Sequence, residues 1–250
     1  MACPAAGHLP RLAKVSERAQ DAAAWGTMMH AWSETGELPK GLSKRTMEAF
    51  LKRMTALEKA GLTREMLWPP ADGEHEVVVA LGLVDGQPDL GELVGGTLEE
   101  RDAWKALQPA TSVVGTIDYR GWLFDLRWID DLKTGRDDSP PLDRPQMKFY
   151  ASYHALKENA PVRTSITHWP RSPADGLPQR TRGLWGTWTA IEALEFLHEM
   201  EKARRRLVRS RERSAEGHEP DARPGEHCTY CPSQMRCPEI VGGQAYDVSE

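Results

Sequence analysis

Apolar residues recur at helical spacing from about Ser16 to Ser33, where Ala, Trp and Met share a stripe. They recur again from Ser43 to about Lys59, with Met47, Phe50, Leu51 and Met54 on one face, and Gly61 predicts the stop. Thr63 to Gly73 contains Pro69-Pro70 and reads as a connection. Glu76 to Val84 is rich in Val and predicts a strand closed by the turn pair Asp85-Gly86. Residues 88–112 mix glycines and acids with a short helical pattern at Leu98 to Leu107, which suggests a surface excursion, and no function attaches to them. Thr111 to Tyr119 and Leu123 to Lys133 predict two antiparallel neighbours. Asp143 to Glu158 predicts an amphipathic helix with Gln146 set into its face and Tyr150 one turn on. Val162 to Trp169 and Arg182 to Trp188 suggest a strand pair around SPADGLP, and Thr189 with Glu192 forms a capping box opening a helix to about Arg213. No internal repeat is visible. The order predicts an α/β fold with a small mixed central sheet flanked by helices.

Composition narrows this picture only in places. The 250 residues suffice for one large domain, and we read a single domain over 1–250. The apolar run from Val77 to Val84 falls far short of the roughly 18 residues of a membrane span. The first residues, MACPAAGHLPRLAK, have neither the basic start nor the apolar stretch of a secretory signal, so a cytoplasmic setting is expected with no membrane partner. The formal charge of −5 does not announce a nucleic-acid binder, but it leaves room for a local basic groove. Four cysteines in such a setting argue for metal or redox chemistry rather than disulfides.

The most informative stretch is the predicted strand pair. Residues two apart share a strand face, so Asp131 and Lys133 point one way and Asp130 and Leu132 the other. Phe124, Leu126 and Trp128 lie on the alternate face, which suits burial. Asp118 lies on the preceding strand in GTIDYR. Two carboxylates and a lysine at strand ends suit phosphodiester hydrolysis assisted by Mg²⁺ or Mn²⁺, whereas the plain alternative is a set of solvated ions on a hairpin edge. The register is critical: Asp118 faces Asp131 directly if the hairpin centres near residues 124–125, whereas Gly121 is the better turn residue by local chemistry, and a bulge or strands that approach only at their ends would reconcile the two.

GTIDYR and IDDLKTGR, followed by Gln146-Met-Lys-Phe-Tyr150 and preceded by Gly26-Thr-Met-Met-His30, resemble the PD-(D/E)XK nuclease superfamily, in particular its RecB-like branch. The GTxxH helix, G-x-x-D strand, D-x-K-T-G strand and Q-x-x-x-Y helix stand here in the family's order. The resemblance implies a restriction-endonuclease-like core. It also implies His30, Asp118 and Asp131 as metal ligands, with the Leu132 carbonyl as a backbone ligand. Lys133 becomes the catalytic lysine, and Gln146 and Tyr150 shape the substrate side. Asp118 and Asp131 carry the catalysis with them. Glu34 falls where the family often has an acid, Glu76 is a further candidate to line the site, and Ile117 replaces the nominal Pro.

Cys228, Cys231 and Cys237 form C-x2-C-x5-C near the C-terminus, and Cys3 is the remaining cysteine. In the iron–sulfur branch of these nucleases, which includes the AddB nuclease domain and the CRISPR-associated iron–sulfur exonucleases, one cysteine before the core joins three after it. That resemblance implies a [4Fe–4S] cluster in a region made of residues 1–15 and 226–240, with 241–250 as a tail. Spacing alone leaves a structural Zn²⁺ site open, with Cys3 or His227 as the fourth ligand.

Seven basic residues at 202, 204, 205, 206, 209, 211 and 213 suit either phosphate binding or a solvated helix end. Trp185 and Trp188 are candidates to stack on bases, although most of the nine Trp are expected in the core. The sum is a metal-dependent DNA exonuclease acting on single-stranded or frayed ends, in recombination, repair, phage or CRISPR DNA processing. No P-loop occurs, so unwinding falls to a helicase or other partner in trans. The alternative is a non-catalytic DNA-binding or complex-assembly module on the same fold.

Overall fold

The computed structural model describes residues 17–64, 73–108, 111–134, 141–170, 179–180 and 186–218. They fall into two compact units, Glu17–His198 and a second represented by Glu199–His218. The elements are α1 (Glu17–Thr35), α2 (Lys44–Lys59), β1 (Glu74–Val84), β2 (Gln87–Leu93), α3 (Leu98–Leu107), β3 (Val113–Leu123) and β4 (Leu126–Lys133). There follow α4 (Pro145–Glu158), β5 (Val162–His168), β6 (Gln179–Arg180), β7 (Gly186–Trp188) and α5 (Ala190–Ala215). The strands form one mixed sheet in the order β2-β1-β3-β4-β5-β6, with β7 also paired to β5. The β4–β5 pair is parallel, and α4 makes the crossover between them that a parallel pair requires. Flanking helices and this mixed sheet are the architecture that the residue pattern predicts, and they are consistent with the restriction-endonuclease-like core that the resemblance implies.

Local chemistry explains the element ends. The Ser43 hydroxyl accepts from the Thr46 N–H at 3.1 Å to start α2. At its other end Gly61 takes φ 66°, and Leu62 N–H reaches back to the Leu57 carbonyl, a Schellman stop. Asp85 and Gly86 both have positive φ, which suits a tight hairpin between β1 and β2. Residues 87–93 are a strand, which corrects the expectation of a purely surface excursion at 88–112. The strand is hard to read in sequence because it is an outer strand of the sheet, partly exposed along its length, and so shows no clean alternation.

The β3–β4 hairpin decides the site. Leu123 pairs with Leu126 and Tyr119 with Asp130, so the turn is Phe124-Asp125 and not Gly121. Gly121 sits inside β3 because the Tyr119 ring lies across it: a Cβ there would stand 2.3 Å from the Tyr119 hydroxyl. Phe124, expected in the core, is 94% exposed with φ 57°, a left-handed conformation that is costly for a side chain with a Cβ. Phe124→Gly should therefore raise stability by about 0.5–1 kcal/mol, seen as a melting temperature higher by about 2 °C; an unchanged or lower melting temperature would contradict the strain.

Sheet alternation separates two faces. Tyr119, Trp128 and Leu132 pack with Trp25, Met28 and Met29 of α1 and Phe50 and Leu57 of α2. The opposite face meets α4, which is buried nearly all round, as a helix between layers must be. Close approach of α4 to β3 depends on Gly115, where a Cβ would lie 2.8 Å from a Tyr150 ring carbon and 2.9 Å from one of Phe149. Gly115→Ala should cost about 1–3 kcal/mol through overpacking, read as a fall in the midpoint of urea unfolding.

The N-terminal capping box of α5 forms as expected, Thr189 accepting from Glu192 N–H and Glu192 from Thr189 N–H. In its basic half, Lys202 pairs with Glu199 at 2.5 Å, and Glu201 takes both Arg204 and Arg205 at 2.6 Å. Part of the basic run is thus balanced within the helix. The half-buried Trp188 indole donates to the Ser152 hydroxyl at 2.8 Å and meets Phe196 edge-on, so it braces α4. No described helix is long and apolar enough to cross a membrane.

Candidate active site

The register that places the turn at Phe124-Asp125 sets Asp118 opposite Asp131, one step beyond the Tyr119–Asp130 pair. One Asp118 oxygen accepts the Leu132 backbone N–H at 2.7 Å, and the other stands 3.7 Å from His30 Nδ1. Asp131 is 1% exposed and has Lys133 Nζ at 2.6 Å from one oxygen. Its tandem neighbour Asp130 faces the other side of the strand, where it accepts from Ser165 and, at 2.5 Å, from Thr167. Two adjacent acids thus have separate roles, and D-x-K spacing selects Asp131.

His30 arrives on α1. The glycine of its motif has a packing reason, because a Cβ on Gly26 would lie 3.3 Å from the Thr134 hydroxyl at the end of β4. The Leu132 backbone lies close enough to favour the protonated His30 ring, against the larger effect of burial. A third acid comes from β1: Glu76 Oε1 stands 3.9 Å from His30 Nδ1. His30, Glu76 and Asp118 each offer one ligand atom, all within 4.8 Å of one another. The β1–β3 register is continuous on both sides of Glu76, which places it opposite Asp118, yet Glu76 itself has φ 51°. Its second oxygen is held by Arg101 of α3 at 2.8 Å. Glu34 is exposed on α1 and acts on Glu76 and His75 only through its charge.

Burial and the Asp131 charge push the Asp118 carboxyl well above its ordinary range, against the opposing hydrogen bond from Leu132 and the charge of Lys133. Burial also raises Glu76, which Arg101 counteracts, and lowers His30, whose ring therefore favours its neutral, metal-competent form. Both Asp131 oxygens are buried, and the Lys133 ammonium at 2.6 Å from one of them is their close ionic partner. The Asp118 and Glu76 carboxylates, both of which disfavour ionisation, stand beside a neutral imidazole and form a donor set that a hard divalent cation such as Mg²⁺ or Mn²⁺ would satisfy.

Behind this cluster a chain of bonds orients the lysine. Lys133 Nζ donates to the Gln146 carbonyl at 3.3 Å, and Gln146 Nε2 donates to the Tyr150 hydroxyl at 2.8 Å. That hydroxyl donates in turn to the Thr116 carbonyl at 2.5 Å. Tyr150 is 3% exposed, so it acts through Gln146 and does not itself face a ligand. The structure thus brings together His30, Asp118, Asp131, Leu132, Lys133, Gln146 and Tyr150. It also brings in Glu76, the further candidate read from the sequence, and it adds Arg101, which sequence reasoning left without a role. Cys3, Cys228, Cys231, Cys237, His227 and Trp185 lie outside the described residues.

Comparison with known proteins agrees with this geometry. A family model described as the PD-(D/E)XK nuclease superfamily matches residues 1–238. Comparison with curated proteins gave no match. A solved chain described as "Crystal structure of SSO0001" aligns with 76% of this chain and 70% of its own at 14% identity. Its TM-score of 0.32 is too low to carry an argument. Members of the matched superfamily act on nucleic acids and typically use Mg²⁺ or Mn²⁺. The match spans nearly the whole sequence and coincides with an acid, acid and lysine cluster formed by the middle of β3 and the end of β4, and on these grounds the chain belongs to the PD-(D/E)XK nuclease superfamily.

Proposed function

We propose that this protein is a DNA exonuclease that hydrolyses single-stranded or frayed ends with Mg²⁺ or Mn²⁺, leaving 5′-phosphates. The observation that carries the reading is the buried, hydrogen-bond-poor Asp131 carboxylate, set between Asp118 and Lys133. His30, Asp118, Asp131 and Glu76, with the Leu132 carbonyl, would hold the cation. When bound, it supplies Lewis acidity at the scissile phosphate and a lower pKa for the attacking water. Lys133 contributes a fixed positive charge where negative charge builds on the phosphate, and its ammonium protons orient the water. Gln146, braced by Tyr150, gives that ammonium a second anchor at 3.3 Å beside Asp131 at 2.6 Å. Asp118 spends one oxygen on the Leu132 N–H, which fixes the direction of the other.

The test is digestion of end-labelled single- and double-stranded DNA with Mn²⁺, Mg²⁺ or EDTA. The reading expects cation-dependent release of mononucleotides or short products from single strands. DNA binding without cleavage under every condition would favour the non-catalytic, complex-assembly alternative.

The cysteines extend the proposal. Cys3, Cys228, Cys231 and Cys237 together would ligate a [4Fe–4S] cluster, supported by the C-x2-C-x5-C spacing and the single remaining cysteine. A brown protein with iron and sulfide in equal amounts supports the cluster, and a colourless protein containing Zn²⁺ replaces it with the zinc alternative. Duplex unwinding would come from a helicase or recombination or CRISPR protein in trans, since the sequence holds no P-loop.

A further inference from the structure

We infer that Arg101 is a positioning residue for Glu76, fixing this carboxylate so that it serves the cation site; the inference rests on the cation-dependent reading above. Glu76 is in the left-handed region at φ 51°, where a residue with a Cβ rarely sits and where strain must be held by its surroundings. The pairs His75–Tyr119 and Val77–Ile117 keep the same register on either side. The distortion therefore inserts no residue and slips no strand, and its local effect falls on Glu76.

The two oxygens of that carboxylate are divided. Oε1 stands 3.9 Å from His30 Nδ1, while Oε2 meets Arg101 Nη1 at 2.8 Å. Both side chains are mostly buried, Arg101 at 17% and Glu76 at 25% exposure. Arg101 is in turn fixed by α3. Thr97 and Glu100 cap that helix reciprocally, and the Arg101 N–H bonds the Thr97 carbonyl at 3.0 Å. Trp104 lies against β2, where a Cβ on Gly91 would stand 3.3 Å from its ring. The segment after β2 is thus docked on the sheet by a tryptophan and reaches the site through an arginine.

Two effects of Arg101 oppose each other. Its charge repels a nearby cation, but that charge is already paired with Glu76 at 2.8 Å, so the cation meets a nearly neutral pair beside the remaining carboxylates. Removing the partner that orients a metal-binding side chain typically costs about 10–100-fold. Positioning therefore wins, and Arg101 strengthens cation binding despite its sign.

The test is equilibrium Mn²⁺ binding by the full chain at one pH, followed through the electron-paramagnetic-resonance signal of free Mn²⁺. Arg101→Ala should bind Mn²⁺ about tenfold more weakly, and Arg101→Lys should recover a large part of the loss. In a Glu76→Ala background the same Arg101→Ala change should have no further effect, which a general weakening of the fold would not reproduce. Affinity for Arg101→Ala equal to or tighter than wild type would overturn the inference, as would an equal loss in the Glu76→Ala background. Absence of Mn²⁺ binding by the wild-type protein would remove the cation reading itself and this inference with it.

Discussion

Replacing Lys133 with Ala should reduce cation-dependent DNA hydrolysis by about 10²–10³-fold, the usual cost of removing one pre-oriented group that stabilises transition-state charge. Lys133 is 25% exposed, lies 2.6 Å from Asp131 and is tied to Gln146, so its charge is fixed before substrate arrives. Solvent cannot restore that charge at the same place. Single-stranded DNA affinity should change little, within about threefold, because one phosphate contact among many contributes modestly to total binding. The variant should also be less stable without metal, since the buried Asp131 loses its neighbouring cation, and Mn²⁺ should recover the deficit. Cleavage at the wild-type rate would remove Lys133 from the mechanism.

Asp118→Asn should abolish the Mn²⁺-induced rise in melting temperature and reduce hydrolysis to the level measured in EDTA. Without metal the same variant should be more stable than wild type. The amide oxygen can still accept the Leu132 N–H, while the buried negative charge facing Asp131 is gone. The pH dependence has a definite sign. Burial and Asp131 raise the folded-state pKa of Asp118 above the ordinary 3.8. Below 3.8 the carboxyl is protonated in both states and the penalty is absent; it develops as pH rises through the raised folded value. The gap in metal-free melting temperature between variant and wild type should therefore widen with rising pH across that window. A gap that narrows, or a variant less stable throughout, would show that Asp118 is not strained by ionisation.

Much of the fold was legible because periodicity and punctuation agreed. Ser43 and Gly61 bound α2, Thr189 and Glu192 start α5, and Asp85-Gly86 turns β1 into β2. Failures came where tertiary contacts outweighed local preference. Gly121 has turn chemistry but serves to admit the Tyr119 ring, and the hairpin instead turns at a strained Phe124. That single shift is what sets Asp118 opposite Asp131, so the most local expectation was the one the site could not obey. β2 was obscure because an outer strand need not alternate.

The site divides in the same way. His30, Asp118, Asp131, Lys133, Gln146 and Tyr150 stand in an ordered set of short motifs, and each motif can be seen within a few residues. Glu76 and Arg101 have no such signature. Glu76 depends on one backbone angle, and its partner lies 25 residues away across β2 and the start of α3. The relation between them exists only after the sheet has formed.

The most direct measurement is the anomalous difference density of a crystal of the protein grown with Mn²⁺. A single strong peak coordinated by His30, Glu76, Asp118 and Asp131, beside the Lys133 ammonium, is the expected result. Mn²⁺ bound elsewhere while these four side chains remain unliganded would contradict it.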